Sequence, residues 1–173
     1  VLALVLAQVA LGGWVSSNYA VLACQGFPAC NGQWWPQADF AQGFTLLREL
    51  GRAHHGGYLG WEALVAIHWA HRLMAAVVAL AIAALAVALW RRGAACHRGA
   101  AMLAGLLALQ ALTGIGNVVL QWPLAGALLH SVGAAALVAT LVGLLARREP
   151  RSVTVPEAAA RPAWRAPREV VLS

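Results

Sequence analysis

Residues 61 to 92 read WEALVAIHWAHRLMAAVVALAIAALAVALWRR, an apolar run closed by two arginines and interrupted near its start by His68, His71 and Arg72. From Trp61 to Trp90 a helix would be about 45 Å long, more than the roughly 30 Å hydrocarbon core of a bilayer. The spacing therefore predicts a membrane span that tilts or projects. Ionisable side chains at such depth cost several kcal/mol unless something pairs with them, so they mark a functional site.

Working outward, the flanking chain repeats the membrane signal. Val1 to about Val15 is apolar, broken only by Gln8, and Trp14 and Tyr19 suit the aromatic belt at its end. A tilted or truncated first span is expected, and a start at Val1 inside an apolar run reads as part of a longer protein. Residues 20 to 60 hold Pro28, Gly32 and Pro36 with paired tryptophans and read as a long loop. Within it, Phe40 to Leu50 is expected to form a short amphipathic surface helix. After Arg91-Arg92, Gly93 to Arg98 is expected to be a tight basic turn. Gly99 to about Leu120 and Leu124 to Ala146 are two further spans, joined through Gln121-Trp122-Pro123. Residues 149 to 173, rich in Pro, Arg, Ala and Glu, are expected to be a disordered tail.

Composition excludes a soluble domain. Of 173 residues 61% are hydrophobic and 10% charged, with mean hydropathy +0.70, where a soluble domain carries about a quarter charged residues. The net charge of +6 sits mostly in short arginine clusters beside the apolar runs. That is a topology signal and not a nucleic-acid stripe. It places the arginine-flanked ends and the tail in the cytoplasm and the 20–60 loop outside. The expected fold is all-α: an antiparallel four-helix transmembrane bundle over residues 1–148, with any cofactor between facing helices.

Depth can be compared along the two spans that run inward. His71 lies twenty residues before Arg91 and His130 seventeen before Arg147, a mismatch of about 4–5 Å at 1.5 Å per residue. His68 would stand one turn further out. His71 and His130 are thus the natural facing pair, and two neutral imidazoles on different helices can ligate a haem iron from both sides. Ala70, Ala75 and Ala76 near one, and Gly126, Gly133 and Ala134 near the other, leave space for a flat macrocycle. The plainer alternative is that each histidine only bonds a neighbouring helix. Arg72 can neutralise a haem propionate or bond backbone carbonyls. His68 can orient a substrate, relay a proton or fill space with one hydrogen bond. Gln110, Thr113 and Asn117 form one stripe on the third span, expected to face the interior.

Cys24 and Cys30 fall in the outward loop, an oxidising setting in bacteria. A structural disulfide, a redox-active pair and, at poor spacing, a zinc site with His54 and His55 are the readings open to them. Cys96 faces the cytoplasm as a free thiol.

Taken together, Leu11-Gly12-Gly13-Trp14-Val15, Ser17-Asn18, Leu22-Ala23-Cys24 through Cys30, Trp35-Pro36, His68-Trp69-Ala70-His71-Arg72, Leu109-Gln110 through Asn117, and Leu129-His130 resemble the heme A synthase family. The resemblance covers about residues 1 to 146 and matches the carboxy-terminal half of those proteins, which carry eight helices in two pseudo-repeated four-helix bundles. It implies haem b as cofactor, with His71 and His130 as axial ligands of its iron. It also implies that Cys24 and Cys30 match the family's outer-loop cysteine pair. The family oxidises the C8 methyl of haem o to a formyl group. The amino-terminal bundle that holds haem o is absent here, and His68 stands where that bundle has a glutamate. The implied partners are that bundle with its haem o, the lipid bilayer, and haem o synthase or oxidase subunits; the implied location is the bacterial inner membrane. Two rival readings are a membrane cytochrome b-type electron carrier without its own catalysis and a non-haem assembly scaffold.

Overall fold

A computed structural model describes residues 1–53 and 56–146. The expected tail, His54, His55, Arg147 and Arg148 lie outside the described residues. Among those described the chain is helical and forms no strand, only two isolated bridges, Cys30 with Gln33 and Arg52 with Tyr58.

The helices are α1 (Leu2–Ser17), α2 (Phe40–Gly43), α3 (Trp61–Trp90), α4 (Ala94–Val119) and α5 (Leu124–Ala146), with a 3-10 turn at Ala20–Leu22. Helices α3, α4 and α5 are long and apolar enough to cross a membrane. Their outward faces carry Leu80, Leu112, Leu124 and Val132, all strongly exposed, as side chains meant for lipid would be. Helix α1 is apolar but shorter, at 16 residues.

Two boundaries differ from the sequence expectation. The basic turn is shorter: α4 begins at Ala94, so Ala95, Cys96, His97 and Arg98 are helical. Gly93 explains it, because at φ 108° it completes the reversal by itself. His97 then stacks on the Trp90 indole, centroids 4.0 Å apart, with its Nε2 3.1 Å from the Trp90 carbonyl. The surface helix is shorter too, ending at Gly43 and not at Leu50. Asp39 caps its start by accepting from the Gln42 N–H at 2.9 Å. Gly43 then presses on α3, where a Cβ would stand 2.8 Å from the Ala63 carbonyl oxygen. Docked that closely, the chain turns off at Phe44 and leaves Leu47 90% exposed.

Helix α1 packs on α3 and α5, α3 on α4, and α4 on α5. Each helix thus has two neighbours, with α3 and α5 on a diagonal. At the end nearer Arg91, all four contribute to one apolar core: Val5, Val78, Ile82, Ala86, Leu103, Leu137 and Leu141. At the opposite end the loop closes over α1 and α3. Val15, Ala20, Leu59, Ala63 and Ile67 form one cluster there, and Ala23, Cys24, Cys30, Val65 and Trp69 another. Asn18, fully buried, ties the two regions: its Nδ2 donates to the Trp14 carbonyl at 2.9 Å and its Oδ1 accepts from Gly51 N–H at 3.2 Å. Between the apolar core and the loop clusters lies a polar layer.

Candidate functional site: a histidine layer between two helix pairs

The layer is built from Gln8 on α1, His71 on α3, Gln110 and Thr113 on α4, and His130 on α5. His71 and His130 are each half-buried.

Each histidine is gripped by the helix next to it in the same way. Gln8 Nε2 donates to the His71 backbone carbonyl at 3.1 Å, and Gln110 Nε2 donates to the His130 carbonyl at 2.9 Å. One turn on, Gly12 lies against His71 and Gly114 against His130. A Cβ on either glycine would stand 3.2 Å from the imidazole Cε1. A helical carbonyl already holds an intrahelical bond and uses its second lone pair here. The glycines let the imidazole edge approach the helix backbone, so the grip fixes both height and ring position.

Gln110 and Thr113 meet the expectation that their stripe faces inward. Thr113 Oγ1 lies 3.0 Å from His130 Nδ1 and 2.7 Å from the Leu109 carbonyl. Asn117, also buried, lies a turn further on with its Oδ1 unpartnered, against Gly126. Gln8 is missed by sequence reasoning, since one glutamine in an apolar run reads as an interruption. The signal that finds it is the pattern Gln-x-x-x-Gly, present at residues 8–12 and again at 110–114.

Arg72 turns away from the histidine layer toward the loop. Its Nη1 donates to the Gly26 and Ala29 carbonyls at 2.9 and 3.3 Å, and its Nη2 to the Cys24 carbonyl. Its Nε is buried without a partner. The loop it clamps is the turn in which the structure pairs Cys24 with Cys30, their Cα atoms 4.9 Å apart. Trp69 packs against that pair.

His68 does not join the layer. It is buried one turn nearer the amino-terminal end of α3, with Nδ1 unpartnered. Glu62 stands at the amino-terminal start of α3 with its side chain exposed; its backbone carbonyl accepts from Asp39 N–H at 3.0 Å. Cys96 is a free, partly covered thiol at the start of α4.

Chemically, the layer offers two neutral-capable imidazoles on diagonal helices, each held by an amide and flanked by small residues. That donor set suits a metal with nitrogen ligands on opposite sides. The unpartnered guanidinium Nε beside it suits an anionic group. Among the described residues nothing else concentrates ionisable side chains inside the apolar spans.

Comparison with known proteins agrees with the sequence resemblance. Residues 1–142 match the family model COX15-CtaA, described as cytochrome oxidase assembly protein. The chain is 40% identical over 135 residues to a heme A synthase of Shewanella oneidensis, covering 78% of this chain and 41% of that protein. It is 37% identical over 131 residues to a heme A synthase of Methylobacterium sp., covering 75% of this chain and 34% of that protein. The chain thus spans about two-fifths or less of the length of these relatives. No solved structure gives a significant match. With three membrane-length helices and a match over most of its length, this chain belongs to the COX15-CtaA family of cytochrome oxidase assembly proteins and is a multi-pass membrane protein.

Proposed function

We propose that this chain is the haem b-binding, carboxy-terminal half of a heme A synthase, acting in haem A biosynthesis. Helices α1, α3, α4 and α5 then form an antiparallel four-helix bundle across the bacterial inner membrane, with the 20–60 loop outside and the tail in the cytoplasm. The observation that supports this best is the doubled grip: the same Gln-x-x-x-Gly pattern holds a half-buried histidine on each of two diagonal helices.

In this reading His71 and His130 would hold the haem iron, and Arg72 Nε, unpartnered and buried, would meet a propionate. Haem b bound there supplies one-electron transfer. The chain's own residues do the rest. The glutamines fix the height of each ligand, the glycines keep the ring edges close to the helix backbones, and the apolar core below excludes water. Arg72 ties the ligand-bearing turn of α3 to the Cys24–Cys30 loop, which we take to be a disulfide on the oxidising side. His68, buried and unpaired at Nδ1, is placed to orient a polar group at the outer end of the bundle. The reaction served is oxidation of the C8 methyl of haem o to a formyl group, through two hydroxylations and loss of water, at a site in the amino-terminal bundle.

The test is a visible spectrum of the purified chain supplied with haem b, oxidised and reduced, for wild type, His71→Ala and His130→Ala. A low-spin b-type spectrum lost in both variants is the expected result. A low-spin spectrum surviving either change would overturn the pairing and bring His68 forward. A folded sample that takes up no haem would favour an assembly scaffold.

A further inference from the structure

The two histidines share a grip on their backbones but not on their rings, and counting hydrogens separates them. Thr113 has a single hydroxyl hydrogen. The Leu109 carbonyl, 2.7 Å away, has none to give, so the hydroxyl donates there. The 3.0 Å contact with His130 is then an Nδ1–H donated to the Thr113 oxygen. A neutral imidazole with its hydrogen on Nδ1 carries its lone pair on Nε2, the state required of a metal ligand.

The His71 ring has no such partner. On α1 the residue equivalent to Thr113 is Leu11, three after the glutamine, and leucine cannot accept a hydrogen bond. Gln8 reaches the ring itself: its Nε2 lies 3.1 Å from Nδ1 and 3.3 Å from Nε2. Nearly equidistant from the two, it lies over the face of the ring and not along either in-plane lone pair, so this contact does not select which nitrogen carries the hydrogen. Meanwhile Gln8 Oε1 is buried without a partner.

We propose that Thr113 is a positioning residue that presets His130 in the ligating tautomer, while the His71 ring has no partner that selects its tautomer. His130 is therefore the first ligand and His71 the second. The order rests on the haem reading given above; the tautomer assignment does not.

The tautomer is read in the haem-free chain. Long-range proton–nitrogen correlation of the 15N-histidine-labelled protein in detergent should give His130, assigned by loss of its signal in His130→Ala, a protonated Nδ1 and an unprotonated Nε2. Thr113→Val should move that signal toward the Nε2–H form, and Thr113→Ser should restore it. An Nε2–H pattern in wild type, or no change in Thr113→Val, overturns the Thr113 assignment. The order is read by haem titration. His71→Ala should keep haem as a five-coordinate, high-spin species with affinity within about tenfold of wild type, whereas His130→Ala should lose about tenfold more, the scale on which groups that orient metal ligands act. Equal losses in the two histidine variants overturn the order. If wild type takes up no haem, the haem reading fails and the order with it, while the nitrogen spectrum still decides the tautomer.

Discussion

Single atoms decide the chemistry of the histidine layer. Gly133 shows how closely it is set: a Cβ there would overlap the Gln110 amide nitrogen and crowd Leu109 Cδ2 at 3.3 Å. Gly133→Ala should push Gln110 off the His130 carbonyl, costing about 1 kcal/mol for the lost hydrogen bond. Exchanging glycine for alanine inside a helix returns about 0.8–1 kcal/mol. The melting temperature in detergent should therefore change little, while the reduction potential of the haem b proposed for this site should shift because His130 has lost one anchor. An unchanged potential would mean that Gln110 does not position the ligand. Arg72 works on the other side of the same turn. Lysine there cannot reach three separate carbonyls with a planar fork, so Arg72→Lys should leave the 24–30 turn looser. Maleimide labelling of Cys24 and Cys30 after mild reduction should be faster than in wild type.

Among the elements, the 20–60 loop is the part whose stability is carried by a few contacts. Gly43 is docked against α3 backbone, where a side chain has no flexible neighbour to displace. Gly43→Ala should therefore destabilise loop docking by about 1–3 kcal/mol, the usual cost of overpacking. It would also disturb the Trp14 Nε1–H donated to the Gly43 carbonyl at 3.0 Å. Limited proteolysis between residues 44 and 60 should report it, with the membrane helices left intact. Cys24→Ser with Cys30→Ser removes a short covalent closure, worth about 2 kcal/mol by chain entropy. Thermal unfolding of the loop should move down accordingly; an unchanged transition would show that the cysteines are not paired in the protein as isolated. The sequence expectation of a helix from Phe40 to Leu50 failed within this loop. Its apolar spacing is real, but Gly43 on α3 and Gly51 at φ 76° impose a path that local propensity cannot foresee.

At the scale of the molecule, the proposed topology puts Cys96 and the basic stretch Arg91–Arg98 on the cytoplasmic side. In the Cys24→Ser/Cys30→Ser background, Cys96 should react with a membrane-impermeant maleimide only after the cytoplasmic face is opened; labelling of intact spheroplasts would reverse the topology. The long spans were legible from sequence by themselves. Residues 61–90 and 124–146 are helical to the residue expected, because a bilayer demands about twenty apolar residues and arginines mark where they stop. The histidines were legible as well, since ionisable groups inside an apolar run are conspicuous. Family membership followed from the order of short motifs, which needs no coordinates. What sequence could not supply was the partner of each polar group. Gln8 is 63 residues from His71, and Arg72 is 43 to 48 from the carbonyls it clamps. Such pairings depend on which helices become neighbours and how they rotate, and nothing local to either residue encodes that. The composition of α3, α4 and α5 determined that they enter the membrane; only the packing of the helices decided that Gln8 and Thr113 would face the two histidines, Thr113 at a ring nitrogen and Gln8 across a ring face.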